Sequence, residues 1–213
     1  GTVNANGGLS TNSLNVSSGT LNGLAGLLVS NSFSYTGGTI GSGFSTIAIT
    51  QASGNLTFSQ PLTTSGNVSL TASAGSISET GSGAISGALL TTSSVGGTTL
   101  NGANMVGSFS ALNMTSGDIA LTNTGALNIT GISQTSAGNV TVSNAGVLSV
   151  TGSITTTTGN ISLTAQDLAL SASLTGSGAL ALMPSTAGSS IGIGTGAAGS
   201  FNLNTTEIGF LTD

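Results

Sequence analysis

Three short stretches decide the fold: residues 117–122 read Gly-Asp-Ile-Ala-Leu-Thr, residues 138–143 read Gly-Asn-Val-Thr-Val-Ser, and residues 159–164 read Gly-Asn-Ile-Ser-Leu-Thr. The stretches follow one another at an even spacing, and glycines at positions 54, 75 and 96 extend the same spacing upstream. After each glycine, small or polar residues alternate with mostly apolar ones. This alternation is typical of a β-strand with one buried face. The sequence therefore predicts a repeating unit of about 21 residues.

Each repeat has room for further short strands after the first one. In successive repeats, residues 127–131 and 148–152 form a second segment, and Ile132 and Ile154 belong to a third. Gly, Asn and Ser separate the segments, and Gly and Asn tolerate the backbone of sharp corners. Hairpins would instead need two-residue turns between strands of opposite direction. We predict an all-β fold, a single-stranded parallel β-helix (β-solenoid) with about three short strands per coil of about 21 residues.

The repeat is less regular near both ends of the sequence. The step from Gly159 to Gly178 is shorter than the glycine steps before it, which we interpret as a trimmed corner. The pairs Leu180/Leu182 and Phe201/Leu203 are expected to keep the phase of the first strand, and residues 91–99 are expected to form a loop. Residues 1–53 do not continue the glycine spacing of about 21 residues. We expect residues 1–53 to be less regular β coils or a cap, and residues 54–213 to be a regular β-solenoid in one continuous domain.

The composition excludes several classes of function. The 213 residues include no Lys, Arg or His, and charged residues make up 2 % of the chain, against about 25 % in ordinary globular domains. Without cations the chain cannot neutralise phosphates, so we expect no nucleic-acid partner. No stretch approaches the length of an apolar spanning helix, so we expect no membrane insertion. The absence of Cys excludes a disulfide scaffold.

Glu79 is the acid that most invites a functional interpretation. In the repeat phase it takes a position where Phe58 and Leu100 face inward. A lone buried carboxylate is costly and could mark a site. The interpretation we favour is a local slip or bulge that turns Glu79 to solvent.

The remaining acids predict no catalytic site. Asp118 takes the place of a corner asparagine, while Asp167 and Glu207 are expected to be solvated and without partners. A polysaccharide hydrolase on a β-helix would need two acids on adjacent coils, but Asp118 and Asp167 are out of phase with each other in the repeat. A Ser-His-Asp triad is impossible without His. We therefore predict no enzyme activity, and no catalytic, cofactor-binding or metal-binding residues.

The repeats resemble a known family of secreted proteins. The stretches 117–122, 138–142 and 159–164, together with residues 99–107 and 199–203, are similar to the repeats of filamentous-haemagglutinin-type exoproteins. These are large two-partner-secreted adhesins of Gram-negative bacteria, built as right-handed parallel β-helices. The Asn-Pro-Asn-Leu signature of their secretion domain is missing here, as are the basic residues of their repeats. The resemblance therefore implies a shaft, and not a secretion domain or a receptor-binding tip.

The leading hypothesis for function is structural. We expect a rigid shaft or adhesive segment of an extracellular, surface-associated or filament-forming exoprotein, at the bacterial cell surface. Its expected partners are other copies stacked end to end, since no polar cap is evident at Gly1 or Asp213, and a host or cell-surface receptor or glycan.

Two alternatives remain open at this point. One is an ice- or surface-binding solenoid with outward threonine rows, suggested by the run Thr155–Thr158. The row at positions 57, 78, 99, 120, 141 and 162 reads Thr, Ser, Thr, Ala, Thr and Ser, which is too broken to favour it. A more remote alternative is a carbohydrate-active β-helix enzyme, although acids and bases are scarce.

Overall fold

The computed structural model describes residues 1–196 and 198–212, and it confirms the predicted β-solenoid. Strands make up 57 % of the chain and helix 2 %, and coils of about 21 residues stack in parallel through about nine turns. Asp213, where the sequence predicts no polar cap, lies outside the described residues.

The elements follow one another as short strands with a single helical turn near the end. They are β1 (Thr2–Ala5), β2 (Leu9–Val16), β3 (Thr20–Gly23), β4 (Gly26–Tyr35), β5 (Thr39–Ile40), β6 (Thr46–Gln51), β7 (Leu56–Phe58), β8 (Leu62–Thr63), β9 (Asn67–Ala72), β10 (Ile77–Glu79), β11 (Ile85–Ser94), β12 (Thr98–Asn113), β13 (Ile119–Asn123), β14 (Leu127–Gln134), β15 (Val140–Asn144), β16 (Leu148–Val150), β17 (Ile154–Thr156), β18 (Ile161–Ala165), β19 (Leu168–Leu170), β20 (Leu174–Thr175), β21 (Leu180–Pro184), β22 (Ile191–Ile193), β23 (Phe201–Leu203), α1 (Thr205–Ile208) and β24 (Leu211–Thr212).

The prediction of three strands per coil describes three coils directly. One contains β7, β8 and β9, another contains β15, β16 and β17, and the coil after that contains β18, β19 and β20. Elsewhere the backbone stays extended through a corner, so that β11 and β14 each cover the second and third segments and β12 covers all three. The expected loop at residues 91–99 is confirmed only for residues 95–97, since Thr91–Ser94 belong to β11 and the pair 98–99 begins β12.

Two faces of the solenoid position the residues discussed below. Face 1 stacks β7, β10, the start of β12, β13, β15, β18 and β21. Face 2 runs from β2 and β4 through β6, β9, β11, the end of β12 and β14 to the strands β16, β17, β19, β20 and β24. Each pairing between described strands is parallel.

The core consists of aliphatic columns that run along the solenoid axis. On face 1, partners one coil apart include Ile119, Val140 and Ile161, and the step from Ile161 to Leu180 is shortened, as the glycine spacing predicts. Val140 is fully buried. Burial of each such side chain contributes about 1.5–3 kcal/mol, and the parallel ladder pairs the backbone between coils. Stability is therefore a sum over neighbouring coils.

Residues 1–53 pair with the repeats that follow them. Strand β6 lies beside β9, with Ile47 opposite Val68 and Ile49 opposite Leu70. All four side chains are buried, so one core continues across position 53. The coils before this point are shorter, because Leu9 already pairs with Leu27. The shorter steps explain why the glycine phase is lost there.

Glycine recurs at the corners because neighbouring coils approach closely there. A Cβ added to Gly138 would overlap the carbonyl oxygen of Gly117, and Gly117 itself has a positive φ of 78°. Asp118 accepts a hydrogen bond from the backbone N–H of Asn139 at 2.7 Å, and Asn139 accepts one from Asn160 at 2.9 Å. The interpretation of Asp118 as a corner substitute is confirmed.

The last coil differs from the expected repeat. Phe201 and Leu203 pair with Ile191 and Ile193, which lie only a short loop earlier in the chain, so their expected stacking on Leu180 and Leu182 is wrong. The chain then turns through α1 and returns as β24, which pairs with β20. This segment covers part of the last coil.

Candidate functional site

A column of hydroxyl side chains follows the outside of face 2 along most of the solenoid. The register joins eight positions, one per coil except at the last step, and seven of them are Thr or Ser: Thr50, Thr71, Ser93, Leu112, Ser133, Thr155, Thr175 and Thr212. The hydroxyls of Thr175 and Thr212 lie 3.1 Å apart, within hydrogen-bond distance. We call these eight residues the hydroxyl column.

The centre of this column lies in a shallow groove of about 560 Å³. The groove crosses four coils and is lined on its outer side mainly by small hydroxyl residues, with one leucine and one glycine: Thr91, Ser93, Ser110, Leu112, Gly131, Ser133, Ser153 and Thr155. We call these eight residues the hydroxyl groove. None of the described acidic residues lines it.

A change of register shapes the groove. Phe109 pairs with Ile129, but the next residue, Ser110, pairs with Gly131, so that Thr130 is left as an extra residue in β14. Gly131 has a φ of 151°, and a Cβ added there would meet nothing within 4 Å. The bulge therefore leaves a depression beside Leu112, which is 37 % exposed.

The hydroxyl column is not evident from the sequence because the spacing of its residues varies. Thr50 and Thr71 keep the spacing of the glycines, but the next step, from Thr71 to Ser93, is longer, and the step from Ser93 to Leu112 is shorter. A search at one fixed period loses this phase. The broken Thr/Ser row that begins at positions 57 and 78 was identified from the sequence, and it lies on face 1. There Thr57 lies opposite Ser78, and their hydroxyls are 3.2 Å apart.

Glu79 does not turn to solvent, so the slip that we favoured is wrong. It remains in register with Phe58, and its side chain is half-buried. Its Oε2 accepts hydrogen bonds from the backbone N–H of Gly102 at 2.8 Å and from Nδ2 of Asn104 at 3.2 Å. Its Oε1 is buried and has no hydrogen-bond partner within the described ranges.

Burial makes the carboxyl group of Glu79 harder to ionise. Burial raises the pKa of Glu79 above its ordinary value of 4.5, while the hydrogen bonds from Gly102 and Asn104 act in the opposite direction. A small cleft of about 190 Å³ lies beside it, lined mainly by backbone at Gly81, Gly83 and Gly102. No second acid of the described chain lines that cleft, so the paired carboxylates of a glycoside hydrolase are not assembled there.

The prediction that Asp167 and Glu207 are solvated is wrong for both residues. Glu207 is 8 % exposed, and its Oε2 accepts from the N–H of Asn204 while its Oε1 accepts from the N–H of Leu170 at 3.2 Å. Asn204 and Glu207 form a capping box at the start of α1. Asp167 is half-buried and accepts from the N–H of Asn202 at 2.9 Å. Both acids hold the final segment onto the last complete coil.

A second feature missed by the sequence analysis is a set of fully buried asparagines inside the solenoid. Asn104, Asn123 and Asn144 occupy one column on successive coils. Their amides satisfy backbone groups where the chain turns, such as the N–H of Val106 on Oδ1 of Asn123. Corner asparagines were predicted only where asparagine follows a repeat glycine, so Asn104, Asn123 and Asn144 were assigned no role from the sequence.

Within residues 1–196 and 198–212, no three acids lie together in a way that could hold a metal ion. In the same ranges no helix is long and apolar enough to cross a membrane. A scan of protein-family models, a search of curated proteins and a search of solved structures each found no match to this chain. The resemblance to filamentous-haemagglutinin-type repeats therefore stays a prediction.

Proposed function

We propose that the chain is a rigid, non-catalytic shaft or adhesive segment of a secreted, surface-associated exoprotein. The observation that carries the proposal is the continuous parallel ladder of face 2, which joins β2 to β24 around one core. A fold of this kind resists bending because each coil is hydrogen-bonded to the next. The β-solenoid is compatible with a structural or adhesive role.

The sparse charge supports the absence of catalysis. The described acids act as structural acceptors, as Asp118 does at a corner and Glu207 does at the last coil. General acid–base catalysis needs a group within reach of a second functional group and of a substrate. Glu79 stands alone in a cleft too small for a drug-sized ligand, whose pockets begin at about 300 Å³.

The shape gives the first test of this proposal. About nine turns, at about 4.8 Å each, predict a rod about 43 Å long. Small-angle X-ray scattering of the purified chain is expected to give the skewed distance distribution of an elongated particle. A symmetric distribution with a compact radius would contradict the shaft.

The location of the protein needs a separate test. We propose that it is exposed outside the cell, as the resemblance to secreted adhesins implies. Brief protease treatment of intact cells that produce the native protein is expected to remove the antibody signal of this segment, while a cytosolic control protein is retained. A signal that is lost only after lysis would place the protein inside the cell.

Association end to end is a further part of the proposal. Among the described strands, β1 and β2 each pair on one side only, as does β21 at the opposite end. Such edges are templates for another strand. Large apolar side chains are exposed near both ends, among them Leu24 at 74 % and Ile193 at 66 %. Sedimentation at rising concentration is expected to show linear oligomers, and a single species at all concentrations would contradict this part.

A further inference from the structure

We infer that the shaft contains one joint, at which residues 1–45 swing away from the rest of the rod as a unit. The joint lies where two sides of the coil lose their backbone ladder. One is the β5 side, which consists of β1, β3 and β5 and continues one coil later as β8. Within the described strands β5 pairs only with β3, and β8 pairs only with β11.

The other interrupted side is face 1. There the second half of β4 pairs with β2 and β7 pairs with β10, while no pairing of described strands joins β4 to β7. The ladder crosses this level of the rod on face 2, where β4 pairs with β6. Backbone hydrogen bonds therefore connect the two parts of the rod along one side, which can act as a hinge.

A slot of about 390 Å³ separates β5 from β8. The hydroxyl group of Tyr35 spans the slot. It accepts a hydrogen bond from the backbone N–H of Ile40 at 3.0 Å and donates one to the carbonyl oxygen of Pro61 at 3.2 Å. In a continuous ladder a backbone N–H would meet a carbonyl oxygen directly. Tyr35 thus holds the two strands at a wider spacing and acts as a latch.

Pro61 explains why the ladder stops at this slot. Successive N–H groups of a strand point to opposite sides. The N–H of Leu62 donates to the carbonyl oxygen of Ala84 in the following coil, so the residue before it faces β5. Proline at that position has no N–H to donate. The break is therefore a property of the sequence at this level of the rod.

Side chains also bridge the joint on face 1. Oε1 of Gln51 accepts a hydrogen bond from the N–H of Phe33 at 2.8 Å, and Oγ of Ser59 donates one to the carbonyl oxygen of Tyr35 at 3.0 Å. The rings of Phe33 and Phe58 pack with their centres 5.7 Å apart. Each of these contacts can break while the backbone ladders on either side of the joint stay intact.

Aromatic rings fill the joint in place of an aliphatic column. Four of the seven aromatic residues of the chain lie beside it, and all four are buried: Phe33, Tyr35, Phe44 and Phe58. Rings fill the wider spacing that aliphatic side chains would leave partly empty. Their burial keeps the joint closed in most molecules. Opening about face 2, where β4 and β6 stay paired, breaks no backbone ladder, unlike bending at the central coils.

Spin labels on introduced cysteines test the joint, because the chain has no cysteine of its own. The joint pair is Thr2→Cys in β1 with Met105→Cys in β12. The matched pair, Thr63→Cys in β8 with Ala169→Cys in β19, spans the same five strand-to-strand steps without crossing the joint. All four positions are exposed. At about 4.8 Å per step both separations are about 24 Å, which double electron–electron resonance measures.

We expect a second, longer population for the joint pair and a single narrow distribution for the matched pair. Tyr35→Phe keeps the ring and removes the latch, and it should increase the longer population about fivefold. The matched control is Thr151→Val, which removes a hydroxyl bond to Asn128 between two central coils and should change neither distribution. The joint is overturned if both label pairs have the same width in the parent and in Tyr35→Phe.

A third pair separates a joint from fraying of the end coils. Thr2→Cys and Thr39→Cys both lie within residues 1–45, two steps apart on the β5 side. They should stay about 10 Å apart, as dipolar broadening of continuous-wave spectra measures. Loss of that broadening would mean that the end coils open one by one, which also overturns the joint. A uniform rod would refute this inference alone, whereas a compact particle in scattering would refute the shaft.

Discussion

The side-chain amide of Asn123 donates a hydrogen bond to Oδ1 of Asn144, 3.0 Å away and one coil further along the axis. Both side chains are almost completely buried. Oδ1 of Asn123 in turn accepts from the backbone N–H of Val106 at 2.8 Å. A column of polar side chains thus supplies hydrogen-bond partners to buried backbone groups at a corner. Aliphatic side chains could not supply them.

Asn123→Ala is expected to destabilise the solenoid. The change leaves the N–H of Val106 and Oδ1 of Asn144 without their partners, which is expected to lower the free energy of unfolding by about 2–4 kcal/mol. Urea denaturation followed by circular dichroism measures the loss. Asn101→Ala, at an exposed position of β12, is the matched control and should change stability by less than about 0.5 kcal/mol. Equal effects of the two variants would refute the role of the buried column.

Glu79→Gln is expected to stabilise the protein at neutral pH. Burial raises the pKa of Glu79 in the folded state above its ordinary value of 4.5, so the folded chain holds a proton over a pH range in which the unfolded chain has lost it. Stability of the parent therefore falls as pH rises through that range and stays lower above it. Glutamine keeps an acceptor for Gly102 and Asn104 and carries no charge.

The pH profile separates this effect from a general change in packing. The advantage of Glu79→Gln should be largest at about pH 7 to 8 and should shrink towards about pH 4, where the parent carboxyl is neutral as well. Asp118→Asn, at an exposed corner, serves as the comparison. A glutamine variant that is less stable than the parent at neutral pH would show that the charged form is the favoured one.

Thr92→Val is expected to raise stability. Thr92 is 1 % exposed and lies in an inward column beside Leu70 and Ala111, and its hydroxyl has no hydrogen-bond partner within the described residues. Valine has the same shape and removes the unpaired polar atom, which is expected to add about 1–2 kcal/mol to the free energy of unfolding. Thermal melting compares it with Thr99→Val, an exposed position, which should be near neutral. A lower melting temperature for Thr92→Val would show that the hydroxyl is in fact satisfied.

Glu207→Ala is expected to release the final segment from the solenoid. Its carboxylate accepts from the N–H of Asn204 at the start of α1 and from the N–H of Leu170. Loss of a capping interaction costs about 1 kcal/mol, enough to increase opening of this segment several-fold. Hydrogen exchange should accelerate at Leu170 and in β23, with the central strands unchanged. Thr206→Ala, exposed in the same helix, should leave both rates as they are.

The sequence predicted face 1 well because one physical constraint fixes it. Gly117 and Gly138 stand where coils approach too closely for a Cβ, so the even glycine spacing is preserved there and the strand after each glycine keeps its phase. On face 2 no evenly spaced glycine fixes the length of each repeat. The coils of this face gain or lose length at corners, as between Thr71 and Ser93 or between Ser93 and Leu112, so its columns are visible only in the folded register.

The polar interior and the last coil were harder to predict for different reasons. The corner asparagines Asn139 and Asn160 each follow a repeat glycine, whereas Asn104 and Asn123 do not, and their inward column is seen only in the folded register. The capping box was available in the sequence, because Glu207 follows Asn204 at the spacing that such a box requires. We interpreted Glu207 as solvated because it has no cationic partner, although backbone N–H groups satisfy it equally well.

Disulfide mapping tests the parallel register most directly, because the chain contains no cysteine of its own. Thr57 lies opposite Ser78, and Thr141 lies opposite Ser162. Neighbouring parallel strands are about 4.8 Å apart, within the Cα separation of about 4.4–6.8 Å that a disulfide spans. We predict that Thr57→Cys/Ser78→Cys and Thr141→Cys/Ser162→Cys each form an intramolecular disulfide in the oxidised monomer. The control pair Thr141→Cys/Thr155→Cys, whose members lie on different faces, should not. Cross-linking of the control pair together with failure of both in-register pairs would contradict the solenoid.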